Sequence, residues 1–384
     1  MIREFGVKNY KSILDNTVEL GRFNVFIGEN GCGKTNLLEA MAMAAGAVTD
    51  KLDTEELYAR GIRVAKPSIT RSSFAHAKAV EEVRMVFTIT DNSNDSRKKT
   101  EAAVTLRTSG ADDIYAQWQR DQTSNLTIKD FLDFLRVNGP QTAVDTFIKQ
   151  VARQGTLGSE LAEFAIYNIN HLALRGIQST SKRSPLGING ESLDLLISSF
   201  NKKESAELLS RSKVVAWVDK VLLDTEDELK FKGHKLGRST SLLYFRDKFM
   251  RRSNNIFSAE NANEGILHVL FYLALFISNK TPRIFGIDNI ESALNPQLCR
   301  DLIKELAALS KTHDKQALIT THNPAILDGL NLHDDEQRLF VVSRNDEGHT
   351  VTERIRVKPS VDGEKFKLSE LWMRGHLGGL PTGF

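Results

Sequence analysis

The residues with the clearest chemical potential form a glycine-rich stretch near the start of the chain. It reads G-E-N-G-C-G-K-T, with Gly28 first and Lys34 and Thr35 last. Glycines at this spacing let backbone N–H groups curl around phosphate oxygens, while the lysine reaches the β- and γ-phosphates and the threonine hydroxyl binds Mg²⁺. The motif predicts a nucleotide site lined by Gly28, Glu29, Asn30, Gly31, Cys32, Gly33, Lys34, Thr35 and Asn36.

Two later residues could complete this site. The apolar run 283–287 ends at Asp288, and the next apolar run, 316–321, ends at His322. An acid at the end of a strand can hold the Mg²⁺ that bridges the phosphates, and parallel strands bring such ends to one edge of a sheet. Taken singly, the aspartate could cap a helix and the histidine could lie in a core. Their order after the glycine loop favours the magnesium and phosphate roles.

The elements around the glycine loop are those that a phosphate site requires. Residues 23–27 are an apolar run typical of a strand, and residues 36–45 are helix formers almost throughout. A helix that begins at the loop points its partial positive charge at the phosphates. This order of strand, loop and helix argues against a chance glycine turn.

Hydrophobic periodicity predicts both strands and helices in the rest of the chain. Together with the glycine loop, this mixture favours an α/β fold. The expected strands are 2–7, 18–20, 83–90, 102–107, 165–174, 283–288, 316–322, 340–342 and 350–357. The expected helices are 127–147, with a break at residues 139–140, 192–223, 266–278 and 297–310.

Bulk properties describe an ordinary globular chain with no membrane signal. The chain has 384 residues, a net charge of +2 and 41% hydrophobic residues, and its first residues show no signal-peptide pattern. The apolar run 266–278 is too short to span a bilayer. One of the two cysteines, Cys32, lies in the glycine loop, so a disulfide with Cys299 is not expected and a reducing cytoplasm fits.

A basic segment, residues 230–252, leaves two interpretations open. Aromatic residues are interleaved with its cations, and Asp247 is the single acid that opposes them. Such a composition could follow a nucleic-acid backbone, but it is also typical of a solvated hairpin and helix, and the net charge gives no support to nucleic acid. Its cations are Lys230, Lys232, Lys235, Arg238, Arg246, Lys248, Arg251 and Arg252.

At this point the chain resembles a known family. It is similar to the ABC-type ATPase heads of the SMC, RecF and OLD group, within the AAA-like set found in bacterial phage-defence operons. The resemblance runs nearly from end to end, and the sequence ending at 371–381 is also similar to members of that set. The segments that match in order are 9–12, 28–35, 263–265, 288–296 and 321–324.

The resemblance implies an α/β ABC-ATPase head with two lobes. Lobe I, residues 1–125 and 280–384, would form a mixed sheet around the phosphate loop from both chain ends. Lobe II, residues 126–279, would be mostly helical and would carry the signature segment Asn263, Glu264 and Gly265. Two subunits of such heads enclose two ATP molecules, and the signature segment of one caps the γ-phosphate bound by the other. ATP, Mg²⁺ and a homodimer or higher homo-oligomer are therefore expected.

Further roles follow from the same resemblance. His322 would sense or orient the γ-phosphate, residues 292–295 would make the contact between subunits, and Lys11 would contact phosphate from the N-terminal strand. Gln178 is a candidate for the glutamine loop of such heads.

Two departures from the family pattern bear on turnover. Asn263 stands where the signature usually has serine, and Asn289 stands where the catalytic glutamate usually follows the Walker B aspartate. An amide cannot take a proton from an attacking water. Glu291, two residues on, would point the same way as Asn289 on an extended loop and could substitute. Otherwise hydrolysis is slow and ATP acts as a clamp.

Three functions remain open from the sequence. The first is a defence ATPase that regulates a separately encoded effector, for which a nuclease is the candidate. The second is a RecF-like repair ATPase that binds DNA through residues 230–252, and the third is a scaffold that binds ATP without turnover. Residues 49–253 lack the sustained heptads of an SMC coiled coil, and the sequence after His322 lacks the acidic metal cluster of OLD nucleases.

Overall fold

A computed structural model describes residues 1–77, 80–90, 99–108, 116–121, 158, 161–179, 181, 183–356 and 367–379. Its strands are β1 (Ile2–Tyr10), β2 (Ile13–Glu19), β3 (Phe23–Ile27), β4 (Val83–Thr90), β5 (Lys99–Thr108), β6 (Trp118–Arg120), β7 (Ile166–Tyr167), β8 (Val218–Leu223), β9 (Leu243–Asp247), β10 (Ile256–Ser258), β11 (Ile284–Ile287), β12 (Gln316–Thr320), β13 (Gln337–Arg344) and β14 (Thr350–Ile355). Its α-helices are α1 (Lys34–Val48), α2 (Thr54–Ala59), α3 (Pro67–Thr70), α4 (His171–Leu174), α5 (Leu193–Ser198), α6 (Lys202–Arg211), α7 (Glu264–Ile277), α8 (Pro296–Thr312), α9 (Pro324–Leu327) and α10 (Leu368–Met373).

The central sheet positions the site. Its strand order is β14-β13-β3-β12-β11-β7, and only β14 runs antiparallel to its neighbour. Strands β3, β11, β12 and β13 are buried along most of their length, as expected for parallel strands covered on both faces. The ends of β3, β11 and β12 therefore meet at one edge, as the sequence predicted.

A second sheet packs on the other side of α1. Its order is β2-β1-β4-β5-β6, all antiparallel, and Phe5 stacks on Phe87 across it with ring centroids 4.9 Å apart. All residues of α1 from Leu37 to Ala47 are buried. A helix that is buried on every side must lie between layers, which explains its run of alanine, leucine and methionine. The α/β class and the mixed sheet around the glycine loop are confirmed.

The region expected to be mostly helical also contains a sheet. Strands β8, β9 and β10 form a three-stranded antiparallel sheet in the order β10-β9-β8. The prediction of a helix throughout 192–223 is wrong in its last part, because the residues from Val218 to Leu223 pair with β9 instead. Pairing across the sheet here outweighs the local helix propensity.

The structure also bears on the strand predicted at 165–174. The expected strand at 165–174 is wrong after Tyr167, because the Asn170 side chain accepts a hydrogen bond from the backbone N–H of Leu172 (2.8 Å) and begins α4. The expected helix at 127–147 lies outside the described residues. Within the described residues, we find no helix with the length and apolarity needed to cross a membrane.

Candidate nucleotide-binding site

The glycine loop leaves β3 through backbone angles that side chains would obstruct. Gly28 has φ 152°, and a Cβ there would lie 2.1 Å from the carbonyl oxygen of Val342. Gly33 has φ 110°, and a Cβ there would lie 2.2 Å from Thr350 Oγ1. The loop is therefore wedged against β13 and β14 at both ends, and only glycine fits at these two positions.

Lys34 lies inside the loop. Its Nζ donates to the carbonyl oxygens of Gly28 (2.9 Å) and Glu29 (2.8 Å), and the residue is only 6% exposed. Burial lowers the pKa of the Lys34 ammonium, which neighbouring carboxylates and Cys32 partly oppose. A weakly solvated cation aimed at a cradle of backbone N–H groups is suited to binding phosphate.

Thr35 and Asp288 meet at the carboxyl edge of the sheet. Thr35 Oγ1 lies 3.2 Å from each carboxylate oxygen of Asp288. Thr320 Oγ1 donates to the same carboxylate and accepts the backbone N–H of Asn289 (3.0 Å), so the orientation of Asp288 is fixed. A hydroxyl beside a fixed carboxylate fits Mg²⁺, which takes one or two protein oxygens and completes its octahedron with phosphates and water.

Glu291 and His322 stand next to this pair. Glu291 Oε1 accepts the backbone N–H of His322 (2.9 Å), whereas Glu291 Oε2 is buried without a hydrogen-bond partner. The ring of His322 lies near the backbone of Gly28, and burial, followed by the Lys34 charge, lowers the pKa of the ring. His322 is therefore neutral at pH 7, and Glu291 keeps one carboxylate oxygen available.

The extended loop expected between Asn289 and Glu291 is wrong. Asn289 has φ 55°, and its carbonyl oxygen accepts the Ser292 backbone N–H, so the chain turns immediately after Asp288. Asparagine tolerates this left-handed conformation better than a glutamate would, which gives a local reason for the residue found there. Glu291 reaches His322 because of the turn and not because of an alternating strand.

Lys11 is held by a partner that the sequence analysis did not identify. Its Nζ pairs with Glu39 Oε2, and Arg63 Nε lies 2.7 Å from Glu39 Oε1. Glu39 is fully buried in α1, and Arg63 also donates to Asn36 Oδ1 (3.1 Å). Lys11 and Arg63 therefore lie near the start of α1 with their charges fixed by one carboxylate. An acid within an otherwise apolar helix was the sequence signal for this cluster.

The signature segment lies beside the loop that follows Asp288. The Asn263 side chain caps α7 by accepting the Gly265 backbone N–H (2.8 Å). A Cβ at Gly265 would lie 3.6 Å from the carbonyl oxygen of Ala293 and 3.9 Å from Leu298 Cδ2. Ala293 has φ 60°, an unusual conformation for alanine. The structure thus brings two segments together, the signature and residues 292–295, that the resemblance assigns to subunit contacts.

The position of the glutamine loop stays a prediction, and Asn168 is a further residue at the sheet edge. Gln178 is exposed in the turn after α4, whereas Asn168 directly follows β7. Asp288 donates its backbone N–H to the Tyr167 carbonyl oxygen (2.9 Å), so Asn168 is at the same sheet edge as Asp288. In the sequence, only the strand pattern at residues 165–174 pointed to this position.

A buried histidine in α7 predicts acid sensitivity. His268 is 1% exposed and neither ring nitrogen is hydrogen-bonded. Burial, which outweighs the Glu264 charge, lowers the pKa of His268 from 6.5 to about 4. The unfolded chain binds this proton more readily than the folded chain does. The contribution of neutral His268 to the free energy of unfolding is therefore fully present above pH 6.5 and falls by about 3 kcal/mol toward pH 4.

We expect the free energy of unfolding of His268→Leu to depend less on pH between pH 7 and pH 4.5 than that of the wild type. Urea unfolding of the wild type and the variant between pH 7 and pH 4.5 measures it. His333→Leu, at an exposed site, should keep the wild-type slope. An unchanged slope in His268→Leu would show that other groups cause the acid sensitivity.

The fold and the site define the class of the protein, an AAA-type ATPase domain with a glycine-rich phosphate loop. The profile of the family described as AAA ATPase domain matches residues 1–230, and the chain belongs to this family. A second profile, described as AAA domain, putative AbiEii toxin, Type IV TA system, matches residues 180–328. Among curated protein sequences, none matches the chain.

Solved structures of SMC heads share the fold. An SMC head bound to the C-terminal winged-helix domain of ScpA is 13% identical, with 93% of this chain and 98% of that chain covered and a TM-score of 0.55. The SMC head domain from Thermotoga maritima is also 13% identical, with 93% and 99% covered and a TM-score of 0.50. A Pyrococcus furiosus head with an extended coiled coil is 11% identical, with 92% and 96% covered and a TM-score of 0.51.

Proposed function

We propose that this chain binds ATP with Mg²⁺, closes into a homodimer around the nucleotide, and regulates a separately encoded effector in anti-phage defence. The observation that carries the ATP-binding part is the convergence of Lys34, Thr35 and Asp288. Thr35 and Asp288 are far apart in the sequence and lie 3.2 Å from each other in the structure. Lys34, in the adjacent loop, supplies the positive charge for the phosphates.

Each residue of the site would have its own role at the phosphates. Lys34 would exchange the carbonyl oxygens of Gly28 and Glu29 for phosphate oxygens, and the loop N–H groups would bind the remaining oxygens. Thr35 and Asp288 would hold Mg²⁺, which supplies charge neutralisation at the phosphates. Glu291 would accept the proton of the attacking water through Oε2, and neutral His322 would orient the γ-phosphate.

Dimer closure follows from the place of the signature segment. Asn263 is exposed, and the atoms that a Cβ on Gly265 would meet belong to Asn263, Ala293 and Leu298 and not to the phosphate loop. A γ-phosphate capped by Asn263 is therefore best supplied by a second copy. Closed dimers would expose or bury an effector site according to nucleotide state, with hydrolysis slow or absent if Glu291 is a poor base.

Substitution of Asn263 tests dimer closure. Asn263→Asp keeps the shape and the helix cap but places a negative charge at the expected γ-phosphate, so we expect ATP-dependent dimerisation to be lost. Asn263→Ser, which introduces the usual signature residue, should retain it. Light scattering with and without ATP and Mg²⁺ measures the mass. A dimer that forms equally well in Asn263→Asp would contradict capping by this residue.

The effector role is supported by the profile match at residues 180–328. One matching profile describes a putative toxin of a toxin–antitoxin system, in which genes act in pairs. We expect the product of a neighbouring gene to co-purify with the chain and the complex to change with ATP. Co-expression of the adjacent genes, followed by affinity purification with ATP and without it, tests this. A chain that purifies alone in both conditions would contradict it.

DNA binding is the second candidate function, and one surface favours it. Lys248, Arg251 and Arg252 form no ion pair with any carboxylate among the described residues, and Phe249 beside them is 75% exposed. By contrast, Lys230 and Lys232 lie near Asp227 and Glu228. If this turn binds DNA, affinity should fall steeply with salt and with Arg251→Ala. Salt-independent or absent binding favours effector regulation instead.

A further inference from the structure

The described C-terminal residues are anchored next to His322. Ser369 donates to the Asp328 carboxylate from its backbone N–H (3.0 Å) and its hydroxyl (2.7 Å). Asp328 ends α9, the short helix that begins two residues after His322. Trp372 is buried, and Leu377 packs against the same core. The helix α10 is thus fixed to α9, the helix that follows His322.

Beyond α10 the chain turns through glycines and reaches the phosphate loop. Gly375, Gly378 and Gly379 have φ values of 78°, 75° and 70°. A Cβ on Gly379 would lie 2.5 Å from Val341 Cγ1 and 3.5 Å from the Cα of Gly28. Gly379 therefore faces Gly28, the first residue of the loop, and Val341 leaves no room for a side chain on it.

Gly28 is the residue at which several parts of the site meet. Its carbonyl oxygen accepts Lys34 Nζ (2.9 Å), and the His322 ring lies near its backbone. The strand β13 crowds it from a third direction, through Val342. A displacement of Gly28 would move the lysine and the phosphate-binding N–H groups together.

We infer that residues 375–379, here called the C-terminal strap, position the phosphate loop and couple it to α9 and His322. This inference rests on the proposed ATP binding and deepens it. Gly379 does not touch phosphate; it acts through Gly28 and is a positioning residue. A misplacement of about 1 Å at a reacting site can cost about a hundredfold in rate, so a small shift at this contact is enough to matter.

Two neighbouring glycines provide a matched test. Alanine at Gly378 or at Gly379 must adopt nearly the same positive φ, so the backbone strain is similar. At Gly378 the new Cβ would meet Val341 Cγ1 at 3.9 Å, an ordinary contact, whereas at Gly379 it would meet it at 2.5 Å. We expect Gly379→Ala to lose about tenfold or more in ATP affinity or kcat, and Gly378→Ala to stay within about twofold of wild type.

Three further measurements separate positioning from a general loss of stability. Thermal unfolding without ATP shows whether each of the two alanine variants remains folded. Val341→Ala in the Gly379→Ala background should restore ATP binding, because it removes the colliding Cγ1. In the wild type, ATP with Mg²⁺ should slow hydrogen exchange at the His376 and Gly378 amides, which bond within the strap and α10; this result needs no variant to fold.

The outcomes are distinguishable from failure of the proposed function. If Gly379→Ala binds and turns over ATP as Gly378→Ala does, or if exchange in the strap does not respond to ATP that is bound, the positioning role is wrong. If the wild type and Gly378→Ala themselves fail to bind ATP, the proposed nucleotide site is wrong.

Discussion

Lys34→Ala is expected to lower the affinity for ATP by at least about a hundredfold and to abolish ATP-dependent dimerisation. The Lys34 ammonium is 6% exposed and already points at oxygens within the loop. Charge-assisted hydrogen bonds contribute about 1.5–3 kcal/mol each, and two of them account for a loss of this size. Isothermal titration with ATP and Mg²⁺ measures the change directly.

The control for this variant is a lysine outside the site. Lys311 is exposed near the end of α8, and Lys311→Ala should bind ATP as the wild type does. Thermal unfolding without nucleotide shows whether Lys34→Ala remains folded. Affinity for ATP that survives in a folded Lys34→Ala protein would show that the phosphates bind elsewhere.

Glu291→Gln is expected to reduce phosphate release by about a hundredfold or more while ATP binding persists. Glu291 Oε1 is engaged by His322, and the buried Oε2 lacks a hydrogen-bond partner, so one oxygen is free to take a proton. Glutamine keeps the shape of the side chain and can still accept the His322 backbone N–H. The variant should therefore accumulate as an ATP-bound dimer.

Asn289→Glu tests the opposite change, because it introduces a carboxylate where Glu291→Gln removes one. It restores the glutamate that usually follows the Walker B aspartate, although its φ of 55° disfavours that residue. If Glu291→Gln leaves turnover unchanged, Glu291 is not the base. A simultaneous gain of turnover in Asn289→Glu would then indicate that the natural chain is an ATP clamp with slow hydrolysis.

The sequence predicted those residues of the site that lie at the end of a single strand. Asp288 and His322 could be identified because each closes an apolar run, and runs of this kind become neighbouring parallel strands with their ends at one edge. The glycine loop was identifiable because its chemistry requires fixed spacing. These features depend on local pattern and on a general rule for parallel sheets.

The parts that were missed depend on contacts between distant segments. The pairing of Lys11 with Glu39 requires the left-handed turn at Lys11, which has φ 47°, and the burial of Glu39 between two sheets. The contact of Gly379 with Gly28 requires α10 to be placed by Asp328. Strand β8 forms only because β9 lies beside it. Local propensity carries no information about such partners.

The most direct measurement of the central claim is complementation between two inactive variants. Lys34→Ala lacks phosphate contact but has an intact signature, and Asn263→Asp has the reverse defect. In a mixed dimer, one site combines both defects and the other combines both intact halves. We expect each variant alone to release no phosphate from ATP, and an equal mixture to recover up to about half of the wild-type rate, since neither variant dimerises with itself and each mixed dimer has one complete site of two. A mixture as inactive as its components, under conditions in which the wild type turns over, would contradict a nucleotide site shared between two copies.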